Sequence, residues 1–360
     1  MVLSKRWRFV WTKVHKLEYK STRKEGNSRV WWLIEKSLQL HKAHVLESLP
    51  IQVDYHPNDA ILRNCVSYAL DHSVRELALC LPLYRTQILY LPRNVYTSKT
   101  LVKLMKLTLS CRTLVVDVPS LPCLPSLLTL VLLNVVYKDQ NSHVRLLSNC
   151  PALRHLEVQR NKSDNVTRFI VKVPSLKSFT YMQIDERAAR SFVLDSPGLR
   201  LLTLGDPYGD LDSIQNMPHL EWATVCHFLP YPNDNNAIQF PQLMKFTLHL
   251  HCLDDLDCSL EPLLLFLHNS PVLKVLMINY DVALGCKDLP LSWNQQSSVP
   301  GYACCPVLRS LCGKVLEEEE DKRENVWQTQ SVLKTARISP ICYYNLEKKE
   351  KIVGGHKIYV

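Results

Sequence analysis

Apolar positions along this chain fall into a short phrase that returns many times: an apolar residue, two variable ones, Leu, one variable residue and another apolar one. Proline commonly stands two places ahead. The phrase reads Leu153-x-x-Leu156-x-Val158 after Pro151, Leu199-x-x-Leu202-x-Leu204 after Pro197, and Leu243-x-x-Phe246-x-Leu248 after Pro241. Looser copies begin at Leu46, Val74, Leu101, Leu127, Leu176, Leu220, Leu273 and Leu308, with starts 21 to 35 residues apart. Alternate residues of a strand share a face, so each phrase predicts a short strand with its Leu turned one way. Five are expected at 153–158, 176–181, 199–204, 220–225 and 243–248. Between strands the period changes. Trp31, Ile34, Leu38 and Val45 stand near helical spacing and predict an amphipathic helix from 30 to about 44. Asp59 is a candidate N-cap for a second helix, with Ile61, Leu62, Cys65, Val66, Ala69 and Leu70 on its apolar side. Short return segments are expected at 144–147 and 263–267, and the last twenty residues are read as polar and poorly ordered.

A strand-and-return unit of this period cannot bury its own apolar face, so neighbours must stack on one continuous core. The fold class is therefore α/β: a leucine-rich-repeat solenoid, a curved parallel sheet with helical or irregular return segments. The helix at 30–44 is expected to shield the first repeat as an N-terminal cap. The residues between the inward Leu point out across the concave sheet in two columns. One is Val131, Glu157, Thr180, Thr203, Thr224, Thr247 and Met277; the other is Leu133, Gln159, Met182, Gly205, Cys226, His249 and Asn279. Parallel strands lay these side by side, which makes them the candidate protein-binding face, even though Thr is common in strands for its β-branched shape alone.

Charge changes the picture little. Residues 1–50 carry eleven Lys and Arg against four acids, and the last twenty carry four against two, which leaves the middle neutral. A basic end on a neutral body does not place a basic stripe on the working face, so nucleic acid is not the expected partner. Thirteen cysteines are scattered with no C-x-x-C pair, which suits a reducing compartment, cytosol or nucleus. The sequons at Asn161 and Asn165 then carry no meaning. The longest apolar run, near 127–136, is too short to span a bilayer, so no membrane role is expected. His249, His251 and Cys252, with Cys258 nearby, are the nearest thing to a metal cluster, yet zinc wants a second paired set and none exists. His41 and His44 are read as surface residues of the first helix, and the vicinal Cys304-Cys305 as packing or loop. With only nine Gly, no phosphate-cradling loop is available. No cofactor, metal or catalytic residue is assigned.

Two stretches carry a family resemblance. Val2-Leu-Ser-Lys-Arg-Trp-Arg-Phe-Val-Trp11 resembles the closing third of a plant F-box, with Leu3, Trp7 and Trp11 as its signature positions. Trp293-Asn-Gln-Gln-Ser-Ser-Val-Pro300 and Leu333-Lys-Thr-Ala-Arg-Ile-Ser339 resemble the opening and final strand of the FBD domain. Leu38-x-Leu-His-Lys-Ala and Ser148-Asn-Cys-Pro-x-Leu153 are phrases of the same proteins. The chain thus resembles the plant F-box/FBD/LRR-repeat proteins. The partition is an F-box remnant at 1–20, a linker and capping helix at 21–45, repeats at 46–285, an FBD-like region at 286–340 and a divergent tail at 341–360.

The resemblance implies a role. In that family the F-box docks on a Skp-type adaptor of a cullin-RING ubiquitin ligase and the repeats hold a protein for ubiquitin transfer, so the chain itself is not expected to be an enzyme. The Leu-Pro-x-Glu opening of the F-box is not among these 360 residues, and the wording of 301–305, 317–330 and the final residues departs from the family. Adaptor and cullin are therefore expected partners only with a complete F-box. The alternative is a protein-interaction scaffold without ubiquitin, or an inactive truncated member. Residues 1–20 offer one short helix, too little to fold alone as a bundle, and are expected to lean on the helix near Trp31.

Overall fold

The recurring proline makes the corner that starts each strand. The protein is described by a computed structural model over residues 10–21, 29–55, 57–81, 88–97, 103–120, 123–160, 164–183, 191–205, 211–214, 217–226, 240–250, 258–259, 269–281, 291–292, 325–327, 335–341, 343–345, 350–353 and 356–359. The backbone N–H of Leu153 donates to the Cys150 carbonyl at 3.1 Å, Leu176 to Val173 at 3.1 Å, Leu199 to Ser196 at 3.0 Å and Leu220 to Met217 at 3.1 Å. Leu243 donates to Phe240 and Leu273 to Ser270 in the same way. Each is a four-residue turn whose second member is proline, which presets φ there and has no N–H to leave unpaired. In the turn that ends at Leu199 the third member is Gly198, where a Cβ would lie 2.5 Å from the Pro174 backbone oxygen, so a larger residue needs the backbone to shift.

Just past each turn one carbonyl accepts two N–H groups from the next repeat. That of Arg154 takes Lys177 at 2.8 Å and Ser178 at 2.9 Å, and that of Glu221 takes Met244 at 2.8 Å and Lys245 at 3.1 Å. This shared acceptor pins the register of successive strands. It also explains a shift: the observed strands begin two residues later than expected, at His155–Arg160, Ser178–Gln183, Leu201–Gly205, Trp222–Cys226 and Lys245–Leu250, because the first Leu of each phrase still belongs to the turn.

The chain forms two compact units, residues 1–199 with 210–215, and residues 200–209 with 216–360. The first contains parallel strands in the order Tyr19–Ser21, Ser48–Val53, Glu76–Cys80, Lys106–Ser110, Thr129–Leu133, His155–Arg160 and Ser178–Gln183. Leu49, Leu77, Leu107, Leu130, Leu156 and Phe179 lie in register on the inner face, and all are buried. In the second unit Leu201–Gly205, Trp222–Cys226, Lys245–Leu250, Val275–Asp281 and Thr335–Ile341 are parallel, with Asn325–Trp327 antiparallel to the last. Its inner row is Leu202, Ala223, Phe246 and Leu276, also buried. This is the leucine-rich-repeat solenoid that the Leu phrase predicts.

The return segments are only partly helical. Val30–Leu40, Asp59–Asp71, Asn94–Thr97 and Ser142–Ser148 are helices, but elsewhere the first unit uses small parallel sheets. One joins Leu89–Tyr90, Leu114–Val116 and Val136–Tyr137; the other joins Arg168–Lys172, Ser191–Asp195 and Leu211–Ile214. The cap of the second helix is Asn58 rather than Asp59: its side chain accepts from Ile61 N–H at 2.8 Å, and Asp59 is the first helical residue. The helix Val30–Leu40 buries Trp31, Ile34 and Leu38 as expected of a cap, yet Tyr19–Ser21 precedes it and pairs with Ile51–Val53. It is therefore also a crossover between parallel strands.

Three readings need correction. His41, expected at the surface, is buried: Nε2–H donates to the Val14 carbonyl at 2.7 Å, which leaves Nδ1 to accept from the Tyr68 hydroxyl. Its partners come from residues far apart in the chain, so helical spacing alone cannot show them. The tail is not structureless, since Tyr343–Asn345, Glu350–Val353 and His356–Tyr359 form an antiparallel sheet with Val353 opposite His356. And the linker expected from residue 21 begins inside the strand Tyr19–Ser21. The segments at 263–267, 293–300 and 317–321, Leu101 and Leu308, and the Cys304-Cys305 pair lie outside the described residues.

Candidate functional site

The outward columns form as strand pairing dictates. In the first unit Val131, Glu157 and Thr180 stand in register, and two places on Leu133, Gln159 and Met182 do the same. Glu157 and Met182 are exposed, while Val131, Thr180, Leu133 and Gln159 are half-buried by their neighbours. In the second unit Thr203, Thr224, Thr247 and Met277 align, as do Gly205, Cys226, His249 and Asn279. Thr203, Thr224, Met277 and His249 are half-buried; the side chains of Cys226 and Asn279 lie outside the described residues. Two positions are not open surface. Thr247 is only 7 % exposed, being flanked in register by Thr224 and Met277, and Gly205 is buried and has no side chain to offer.

The columns also omitted their own first row. One alternation step before Thr203, Thr224 and Thr247 stand Leu201, Trp222 and Lys245, in register with one another. Trp222 is 51 % exposed and Leu201 39 %, and the Lys245 ammonium sits over the indole at 5.6 Å from its centre. A cation held against a ring face in this way is worth about 0.5–1 kcal/mol at an exposed site and fixes the ring's orientation. The ion pair of Arg200 with Glu221, at 2.6 Å, holds the adjoining turn. An exposed Trp on a rigid strand is the kind of residue that dominates protein interfaces. Continuing the Thr alternation backward by one step, two residues, would have found it.

Behind Glu157 and Gln159 the strand is anchored by a buried charge. Arg160 donates from Nε to Asp164 Oδ2 at 2.6 Å, from Nη1 to the Tyr181 hydroxyl at 3.2 Å, and from Nη2 to the Val166 carbonyl. Asp164 Oδ1 accepts from Val166 N–H at 2.8 Å, and Phe169 lies 5.3 Å under the guanidinium. Beyond Phe169 the His143 ring stacks at 4.5 Å, its Nε2 accepting from Ile170 N–H at 3.0 Å. Burial, then the nearby Arg160 charge, pushes the His143 pKa down to about 4. This network holds the strand face; it does not open onto it.

Of the F-box signature, Leu3 and Trp7 lie outside the described residues. Trp11 opens a single 3-10 turn, Trp11–Lys13, and the Thr12 carbonyl accepts from Lys42 N–H at 2.6 Å. Among the described residues the segment thus leans on the end of the first helix at His41 and Lys42, and Trp31 Nε1 donates to the Tyr55 carbonyl at 2.6 Å. The metal candidates His251 and Cys252, and the side chain of Cys258, lie outside the described residues. Burial raises the thiols of Cys65 and Cys150 to about 12, so both serve as small apolar core groups. Asn165, read as an idle sequon, ties adjacent repeats: it accepts from Tyr137 N–H at 3.1 Å and donates to the Tyr137 carbonyl at 2.6 Å.

Comparison with known proteins agrees with this architecture. A profile of the LRR repeats of FBD-associated F-box protein At5g56370 matches residues 62–221. An F-box/FBD/LRR-repeat protein of Arabidopsis thaliana, At1g22000, is 36% identical over 398 residues, covering 97% of this chain and 82% of the relative. The FBD-associated F-box protein At4g10400 of the same plant is 31% identical over 359 residues, covering 94% of this chain and 86% of the relative. No solved structure matches the chain.

Proposed function

The chain belongs to the plant F-box/FBD/LRR-repeat family, and from that premise we propose that it is the substrate-recognition subunit of an SCF-type cullin-RING ubiquitin ligase, working in the cytosol or nucleus. A target protein is held on the strand face of a repeat unit: the second unit offers Trp222, Leu201, Thr203, Thr224 and His249 as contacts, and the first, by itself, offers Glu157, Gln159, Thr180 and Met182. The observation that carries this reading is Trp222, half-exposed on a strand whose register and neighbours hold it rigid. The ubiquitin chemistry belongs to the ligase scaffold and its E2, so this chain supplies binding and position only.

One observation favours a second reading, a repeat scaffold that binds protein without ubiquitin. Residues around Thr12 are tied to the first repeat through Lys42 and His41, whereas an adaptor contact needs a preformed patch of about 800 Å² per partner. Co-purification with a Skp-type adaptor separates the two. Residues 1–360 should recover far less adaptor than the same chain preceded by a complete F-box. Equal recovery would show that the segment ending at Trp11 suffices and would remove the scaffold reading, while no recovery of adaptor by either version would remove the ligase reading.

A further inference from the structure

The row just ahead of the strands in the first unit is basic. Arg75, Lys106, Arg154 and Lys177 are all exposed there, with the exposed imidazole of His155 beside Arg154. On the return side the acids hold cations: Asp117 pairs with Arg93 and Lys138, Asp139 with Arg145, and Asp195 with Lys172. Along the leading row, Arg75, Lys106 and Arg154 form no ion pair among the described residues, and Lys177 reaches only the Gly198 carbonyl at 3.2 Å. Glu76 is the one acid in this row from Arg75 to Ser178, with Glu157 the next one inward.

Position along this row is set by backbone. The carbonyls of Arg75, Arg154 and their counterparts in the other repeats each take two N–H groups from the following repeat, and Glu76, Lys106, Thr129, His155 and Ser178 then run in register. The cations form two clusters, Arg75 with Lys106 and Arg154 with Lys177, the second beside the His155 ring. Two strand steps of about 4.8 Å separate Lys106 from His155, the length of roughly three extended residues. In that gap stands the half-buried Leu128, with Met105, which is 40% exposed, at the equivalent place one repeat before it.

We propose that this row binds an extended acidic segment of the recognised protein, with two groups of Asp or Glu separated by about three residues and an apolar side chain between them. The proposal deepens the target-binding reading by naming the chemistry of the target. Protein fits better than nucleic acid on two counts. Single strands are held by stacking successive bases on aromatic rings, and among the described residues the leading row of this unit presents no Phe, Tyr or Trp, only the His155 imidazole. Glu76 and Glu157 would also repel a continuous phosphate backbone, whereas a peptide can place uncharged residues opposite them.

The test uses purified full-length chain and a fluorescein-labelled peptide, Asp-Glu-Ser-Leu-Ser-Glu-Asp, followed by anisotropy; it needs no adaptor, so its outcome is independent of ligase assembly. Saturable binding is expected, weakening as salt rises. Lys106→Glu and Arg154→Glu should each weaken it about five- to tenfold, while Arg63→Glu, on an exposed part of the second helix, should leave it unchanged. Melting curves check folding, and Lys106→Gln with Arg154→Gln replaces any variant that fails. Binding that ignores both substitutions, or responds equally to Arg63→Glu, would overturn the proposal. So would a heptameric oligouridine that binds more tightly than the peptide and responds to the same two substitutions.

Discussion

Replacing Asp164 with alanine should cost the fold about 3–5 kcal/mol, since it strips the counter-charge from a guanidinium with nowhere else to go. Both side chains are only 1% exposed, and the carboxylate serves two donors, Arg160 Nε and Val166 N–H. The hydroxyl of Tyr181 and the Val166 carbonyl still meet the guanidinium after the change, but neither carries a charge. Urea denaturation of wild type and variant checks this. The same principle makes a second, opposite expectation: replacing the pair together, as Arg160→Met with Asp164→Leu, should be close to neutral, because the desolvation of both charges is removed along with their attraction. A single substitution that costs less than about 1 kcal/mol would show that water reaches the pair.

Acid should weaken the first unit through His143. Burial against Phe169 and Tyr137, the charge of Arg160 and the donated N–H of Ile170 favour the neutral ring, and its pKa falls from 6.5 to about 4. Asp139 and then the Gln140 backbone favour the charged form, less strongly than burial and Arg160 oppose it, and Arg145 adds the smallest opposing share. With the folded pKa below the unfolded one, the unfolded chain binds more protons between those values. Stability contributed by the neutral ring is therefore complete above about pH 6.5 and is lost as pH falls toward 4, by roughly 3 kcal/mol at about 1.4 kcal/mol per unit. His143→Gln cannot titrate, so its denaturation midpoint should fall less over that range than wild type's. Parallel decline of the two curves would contradict the assignment.

The parts that were legible in the sequence are those set by local geometry. Leu156, Leu202 and Phe246 are buried as the alternation requires, and the proline ahead of each phrase marks the turn that launches the strand. What escaped notice needed either one more step of the same rule or a partner far off in the chain. Carrying the alternation past Leu156 and Val158 puts Arg160 in the core, with an acid four residues on. Carrying it back from Thr224 exposes Trp222. His41 could not be found that way, because Val14 and Tyr68 bury it from opposite directions along the chain. The return strands such as Arg168–Lys172 escaped because Phe169 and Val171 are too short a run to separate strand from helix by period alone.

The most direct test of the strand face as the target-binding surface is site-specific photo-crosslinking in plant cells that express the chain with a complete F-box. A benzophenone amino acid replaces Trp222 or Glu157 on the strand face, or Thr167 or Lys172 on the exposed return side. Adducts that carry ubiquitin are expected from Trp222 and Glu157 and not from the other two. Ubiquitylated adducts that arise from Thr167 or Lys172 alone would contradict the assignment of the face.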